Sequence, residues 1–66
     1  MLTPDELVLF EADLGWVWAN KRILSEKDLE FVEDLRQALK EYGQWIHVTE
    51  KQRNYLRYLE RKVSSV

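Results

Sequence analysis

The chain of 66 residues has no cysteine, a single histidine, a single proline and two glycines. Without thiols, disulfide staples, cysteine zinc sites, iron–sulfur clusters and thiol catalysis are excluded. One histidine, His47, cannot build a histidine-rich metal site, and no phosphate-binding glycine loop, metal-ligand pair or nucleophile triad is present. Neither sign of charge dominates. Ten Lys and Arg stand against twelve Asp and Glu, a net charge of −2, which argues against a histone-like polycation and a strongly acidic nucleic-acid mimic alike. The apolar run from Leu7 to Trp18 is interrupted by Glu11 and Asp13 and is too short to span a bilayer, and no basic leader precedes it. These absences lead to the expectation of a cytoplasmic protein without a membrane anchor, cofactor, metal or catalytic site.

What is present is a globular mixture, 45% hydrophobic and 33% charged, sized for one small domain over residues 1–66. Three stretches carry the grammar of a helix start. Thr3-Pro4-Asp5-Glu6 offers an N-cap, a proline at the first helical position and a glutamate able to reach back to the cap. Ser25-Glu26-Lys27-Asp28 repeats the pattern with a shorter acid, and Thr49-Glu50-Lys51-Gln52 is a full capping box. Leu2 and Leu24 precede the first two starts and are placed to staple onto Leu7 and Leu29. Gly43 reads as a left-handed stop for the second helix. Gly15 offers a stop for the first, with continuation through Trp16-Val17-Trp18-Ala19 as the alternative. The expected fold is all-α, a three-helix domain with helices at about 4–14 or 4–19, 26–42 and 50–63. Gly43 to Thr49 forms a connector in which Trp45-Ile46-His47-Val48 runs extended, and the tail Ser64-Ser65-Val66 frays.

The three helices differ in character. On a helical wheel, Leu7, Phe10, Leu14 and Val17 of the first make one face, while Val8, Leu9, Ala12 and Trp16 cover much of the remainder. Two other helices hardly cover that whole circumference, so the helix is read either as a central core helix or as one whose second face meets a partner. The second helix is amphipathic, with Phe31, Val32, Leu35, Ala38, Leu39 and Tyr42 opposite an acidic side. That acidic side is read as a solvated face, with recognition of a basic partner as the alternative; paired carboxylates do acid–base chemistry only in a shielded pocket that separates their pKa values.

The third helix has a narrow inner stripe of Gln52, Tyr55, Leu56, Leu59 and Val63. Its outer side carries Lys51, Arg53, Asn54, Arg57, Tyr58, Arg61 and Lys62, residue types suited to phosphates and base edges. A solvated basic helix or an acidic protein partner accounts for the same residues. The seven-residue connector departs from the three- or four-residue turn of a helix-turn-helix, which weakens the DNA reading.

The phrase Val48-Thr49-Glu50-Lys51-Gln52-Arg53-Asn54-Tyr55-Leu56, with the preceding helix from Leu29 to Tyr42 and its Gly43 stop, resembles short helical accessory proteins of phages and prophages. The resemblance covers about residues 24–62. It implies a small accessory protein, a class in which host-directed inhibitors and regulators are common, and it assigns no functional residue. The residues themselves point to an interaction protein. A protein partner or a second copy is expected at Val8, Leu9, Ala12, Trp16, Trp18 and Trp45, because large aromatics are effective interface anchors. The rivals are a nucleic-acid-binding module acting through the third helix and a structural subunit of a larger assembly.

Overall fold

A computed structural model describes residues 1–65. It contains helices α1 (Pro4–Ala19), α2 (Glu26–Tyr42) and α3 (Glu50–Ser64), joined by single 3₁₀ turns at Lys21–Ile23 and Gly43–Trp45. Among the described residues there is no strand, so the architecture is all-α as the helix starts require. All three capping boxes are closed in both directions. Thr3, Ser25 and Thr49 accept from the backbone N–H of Glu6, Asp28 and Gln52 at 3.2, 3.2 and 3.1 Å. The side chains of Glu6, Asp28 and Gln52 in turn accept from the backbone N–H of Thr3, Ser25 and Thr49. Each box satisfies two backbone donors that the first helical turn would leave open.

Helix α1 passes through Gly15 and ends at Asn20. There the side-chain Nδ2 donates to the Trp16 carbonyl at 2.8 Å and the backbone N–H to that of Val17 at 3.1 Å. The longer of the two expected helices is therefore the one formed. Gly15 does not stop it because nothing at that point competes with the helical ladder, whereas the amide of Asn20 takes a terminal carbonyl itself. Gly43 does cap α2, yet its φ of 55° comes with ψ of −128°, outside the left-handed helical well. That region is open essentially to glycine alone, and it turns the chain into the 3₁₀ turn rather than into a left-handed cap. The connector after it forms no strand: Ile46 is buried while Trp45 and His47 are exposed. Of the expected fraying tail, Ser64 is the last residue of α3, Ser65 caps it by donating to the Arg61 carbonyl at 3.0 Å, and Val66 lies outside the described residues.

The core joins Phe10, Leu14 and Val17 of α1, Val32 and Leu35 of α2, and Leu56, Leu59 and Val63 of α3, sealed by Leu2, Leu24 and Ile46. Neighbouring helices in the chain run antiparallel. The Leu2 N–H, just before α1, donates to the Gln44 carbonyl, just after α2, at 2.8 Å. Asp28 in the first turn of α2 meets Lys62 in the last turn of α3 at 3.0 Å. Consequently α1 and α3 lie side by side and parallel. Arg53 reaches Glu6 near their starts, and Trp16 reaches Ser64 near their ends.

Candidate functional site

The core takes one side of α1, and helical geometry then fixes what the opposite side presents. With Phe10, Leu14 and Val17 turned inward, Val8, Ala12, Gly15 and Ala19 face outward, with Leu9 and Trp16 along the border toward α3. All six are exposed, Val8 and Leu9 at 64% and Trp16 at 51%. From residue 8 to residue 19 this uncharged strip runs about 16 Å along the helix. Neither α2 nor α3 covers it. The Trp16 indole N–H donates to Ser64 Oγ at 3.3 Å, which holds the ring across the edge of α3 while half of it stays in solvent. A Cβ at Gly15 would meet no atom within 4 Å, so no close approach inside the fold requires that glycine.

The other two tryptophans do not join this strip. Trp18 is half-buried, with the Arg36 guanidinium 4.1 Å and the Lys21 ammonium 4.2 Å from its ring centre. It serves as a cation platform between α1 and α2. It also lines an open groove of about 720 Å³ between those helices, together with Leu14, Gly15, Leu39 and Lys40. Trp45 is 67% exposed, but it sits at the Leu2 end of the bundle. At 1.5 Å per residue, that end is about 20 Å along the axis from Trp16.

A second, smaller groove of about 200 Å³ follows the parallel seam of α1 and α3. Leu2, Leu9, Phe10 and Leu56 supply its apolar lining, and Glu6, Asp13, Arg53, Arg57 and Glu60 its charges. Arg53 lies 3.9 Å from Glu6, both half-exposed. Asp13 and Glu60 bring two carboxyl groups together. Burial, hydrogen bonding with Asp13 and repulsion from its charge push Glu60 up to about 7, against the pull of Arg57.

This seam changes the meaning of the basic side of α3. Arg53 reaches Glu6 of α1, and Arg57 lies beside Glu60 of its own helix. Lys62 turns the other way and donates to Asp28 Oδ2 at 3.0 Å, with its side chain only 34% exposed. Lys51, Asn54, Tyr58 and Arg61 remain as the outward group. The basic face that looks continuous on a wheel is thus partly neutralised within the chain.

Asp28 is the polar centre that the sequence reading passed over. It is the one buried charged side chain among the described residues, 6% exposed, and it accepts from the Ser25 N–H, the Tyr55 hydroxyl and Lys62. Burial works against its charge, but these hydrogen bonds outweigh burial and hold its carboxyl below the usual value. Tyr55, stacked on Phe31 at 4.3 Å between ring centres, is pushed up to about 12 by its hydrogen bond to Asp28. A signal was available in the sequence. Asp28 stands four residues before Val32 and seven before Leu35, on the stripe that goes to the core.

The fold and surface together define a small three-helix domain with one uncovered apolar helix face. Among the described residues no group of three or more His, Asp or Glu side chains is arranged to hold a metal ion, and no helix is long and apolar enough to cross a membrane. No protein-family model matches the chain, and no curated protein and no solved structure matches it.

Proposed function

We propose that this protein is a non-enzymatic binding module of the cytoplasm, and that the outward face of α1 docks onto a protein partner. The observation that carries this reading is the uncharged, uncovered strip of Val8, Leu9, Ala12, Gly15, Trp16 and Ala19. A contiguous exposed apolar strip on a chain this small is costly to leave in water and characteristic of interaction surfaces. Trp16, whose indole N–H donates to Ser64, supplies an aromatic anchor on that strip. The resemblance to phage-type accessory proteins accords with a regulator that acts by occupying a surface on another protein. Nucleic-acid binding through α3 is less favoured, because Arg53, Arg57 and Lys62 face carboxylates of their own chain. A photo-crosslinking residue placed at position 12 in the producing cell is expected to trap a protein, whereas one at position 54 on α3 is expected to trap none. Crosslinks to nucleic acid from position 54 and nothing from position 12 would reverse the assignment.

A further inference from the structure

We propose that the occupant of the α1 face is an amphipathic helix of another protein, apolar along one side and edged with lysine or arginine. This rests on the protein-docking reading above and adds the chemistry of the partner. The shape comes first. Ala12, Gly15 and Ala19 form a low ridge, and beside it the α1/α2 groove of about 720 Å³ adds depth at the point where Gly15 has open space. Small residues along a helix permit the close approach of a second helix, and the larger Val8, Leu9 and Trp16 give it something to grip.

Charge then selects among helices. Every charged side chain of α1 is acidic: Asp5, Glu6, Glu11 and Asp13. Asp5 and Glu11 border the strip, and among the described residues neither has a cation within 4.0 Å. On the other border Asp13 lies against a second carboxyl, that of Glu60. Of the nearby cations, Arg53 is engaged by Glu6, Arg57 lies beside Glu60, and Arg36 and Lys21 lie over Trp18, while Lys40 lines the α1/α2 groove together with the acids Glu11 and Glu33. A lysine or arginine arriving at the Asp13–Glu60 pair would let both carboxyls ionise, relieving a repulsion that the free protein carries.

The same charges disfavour a second copy. Packing α1 on α1 of another molecule would set two all-acidic helices against each other. The outer side of α3 offers basic residues but only Tyr58 as a large exposed apolar group.

The test uses the full chain and three dye-labelled synthetic helical peptides of 18 residues. They share one Leu/Ala stripe and differ only in edges of Lys, Gln or Glu. The Lys-edged peptide is expected to bind about tenfold or more tightly than the Glu-edged one at physiological salt, with the gap closing in about 1 M salt. Val8→Lys, or Ala12→Lys as a second exposed position, is expected to remove binding with an unchanged circular dichroism spectrum. Asp13→Asn with Glu11→Gln is expected to shrink the preference for Lys edges. If all three peptides bind equally and Val8→Lys abolishes each, the docking face stands and the basic partner is overturned. Binding of the Lys-edged peptide that ignores Val8→Lys overturns both readings. A sedimenting dimer dispersed by Val8→Lys makes a second copy the occupant and overturns the proposal. If no peptide binds, the basic-edged helix is likewise overturned, and the crosslink at position 12 decides whether the docking face survives.

Discussion

Lys62 Nζ lies 3.0 Å from Asp28 Oδ2, so the last turn of α3 is tied to the first turn of α2 through a carboxylate that also caps its own helix. Because Asp28 is buried and three donors converge on it, the same residue acts in local capping and in long-range packing. Asp28→Ala is expected to lower stability by about 2 kcal/mol, from the lost cap and the unpaired Tyr55 hydroxyl together. Lys62→Met should cost less, since the ammonium is partly solvated. Chemical denaturation of the two variants measures the difference, and equal losses would mean that the ion pair, not the buried acceptor, carries the energy.

Stability should depend on pH in two opposite ways. Asp28 is held below its ordinary 3.8, so its contribution is present above that value and is lost as pH falls through the lowered one. Glu60 is raised from 4.5 to about 7, so its contribution is present below 4.5 and is lost as pH rises toward 7. The melting temperature should therefore peak in mildly acidic solution. Glu60→Gln is expected to flatten the decline between pH 4.5 and 7 while leaving the acid limb in place.

Gly15 occupies the middle of an exposed helical face with empty space at its missing Cβ. Gly15→Ala is expected to raise stability by about 0.5–1 kcal/mol, the helix-propensity difference between the two residues. A lower denaturation midpoint would show that the open space seen at Gly15 is closed in solution.

Thr49 accepts the Gln52 N–H at 3.1 Å at the head of α3. Thr49→Ala is expected to cost about 1 kcal/mol by leaving that donor open. An unchanged thermal midpoint would indicate that the last helix starts elsewhere.

The two binding classes separate on Trp16 and Arg61. Trp16→Ala is expected to weaken a protein partner by about 2 kcal/mol, while Arg61→Glu with Lys51→Glu should change mainly the association rate. Arg57→Glu is unsuitable for this comparison, because it would place a third carboxyl beside Asp13 and Glu60. Steeply salt-dependent binding of duplex DNA, lost in the Arg61/Lys51 double variant and kept in Trp16→Ala, would transfer the function to α3.

The helices were legible because their starts are written in adjacent residues. Thr3, Ser25 and Thr49 need only the residue three places on to make a cap. The inner faces were legible by periodicity, and so was the surplus apolar side of α1. The end of α1 hung on Asn20, whose amide bonds to Trp16 only once the helix is there to offer a carbonyl. Pairings across the fold were not legible. Nothing local tells that Arg53 meets Glu6, that Asp13 meets Glu60, or that Lys62 leaves the basic face for Asp28. Those pairings depend on α1 and α3 lying parallel. The half-burial of Trp18 was illegible for a related reason: besides the local Lys21, it depends on the core and on Arg36, 18 positions away.

The parallel seam also decides when the docking face exists. Trp16 and Ser64 are 48 residues apart, so their contact closes only after both intervening turns have brought α3 back to α1. Leu9 and Trp16 lie along that seam, and a chain with α3 undocked would present them differently. A partner that reads the complete face therefore binds the fully closed chain in preference to any partly opened one. By mass action, a partner present at a hundred times its dissociation constant would add about 2.7 kcal/mol to the closed state. Occupancy of the α1 face thereby shifts the equilibrium against undocking of α3 along the adjoining seam.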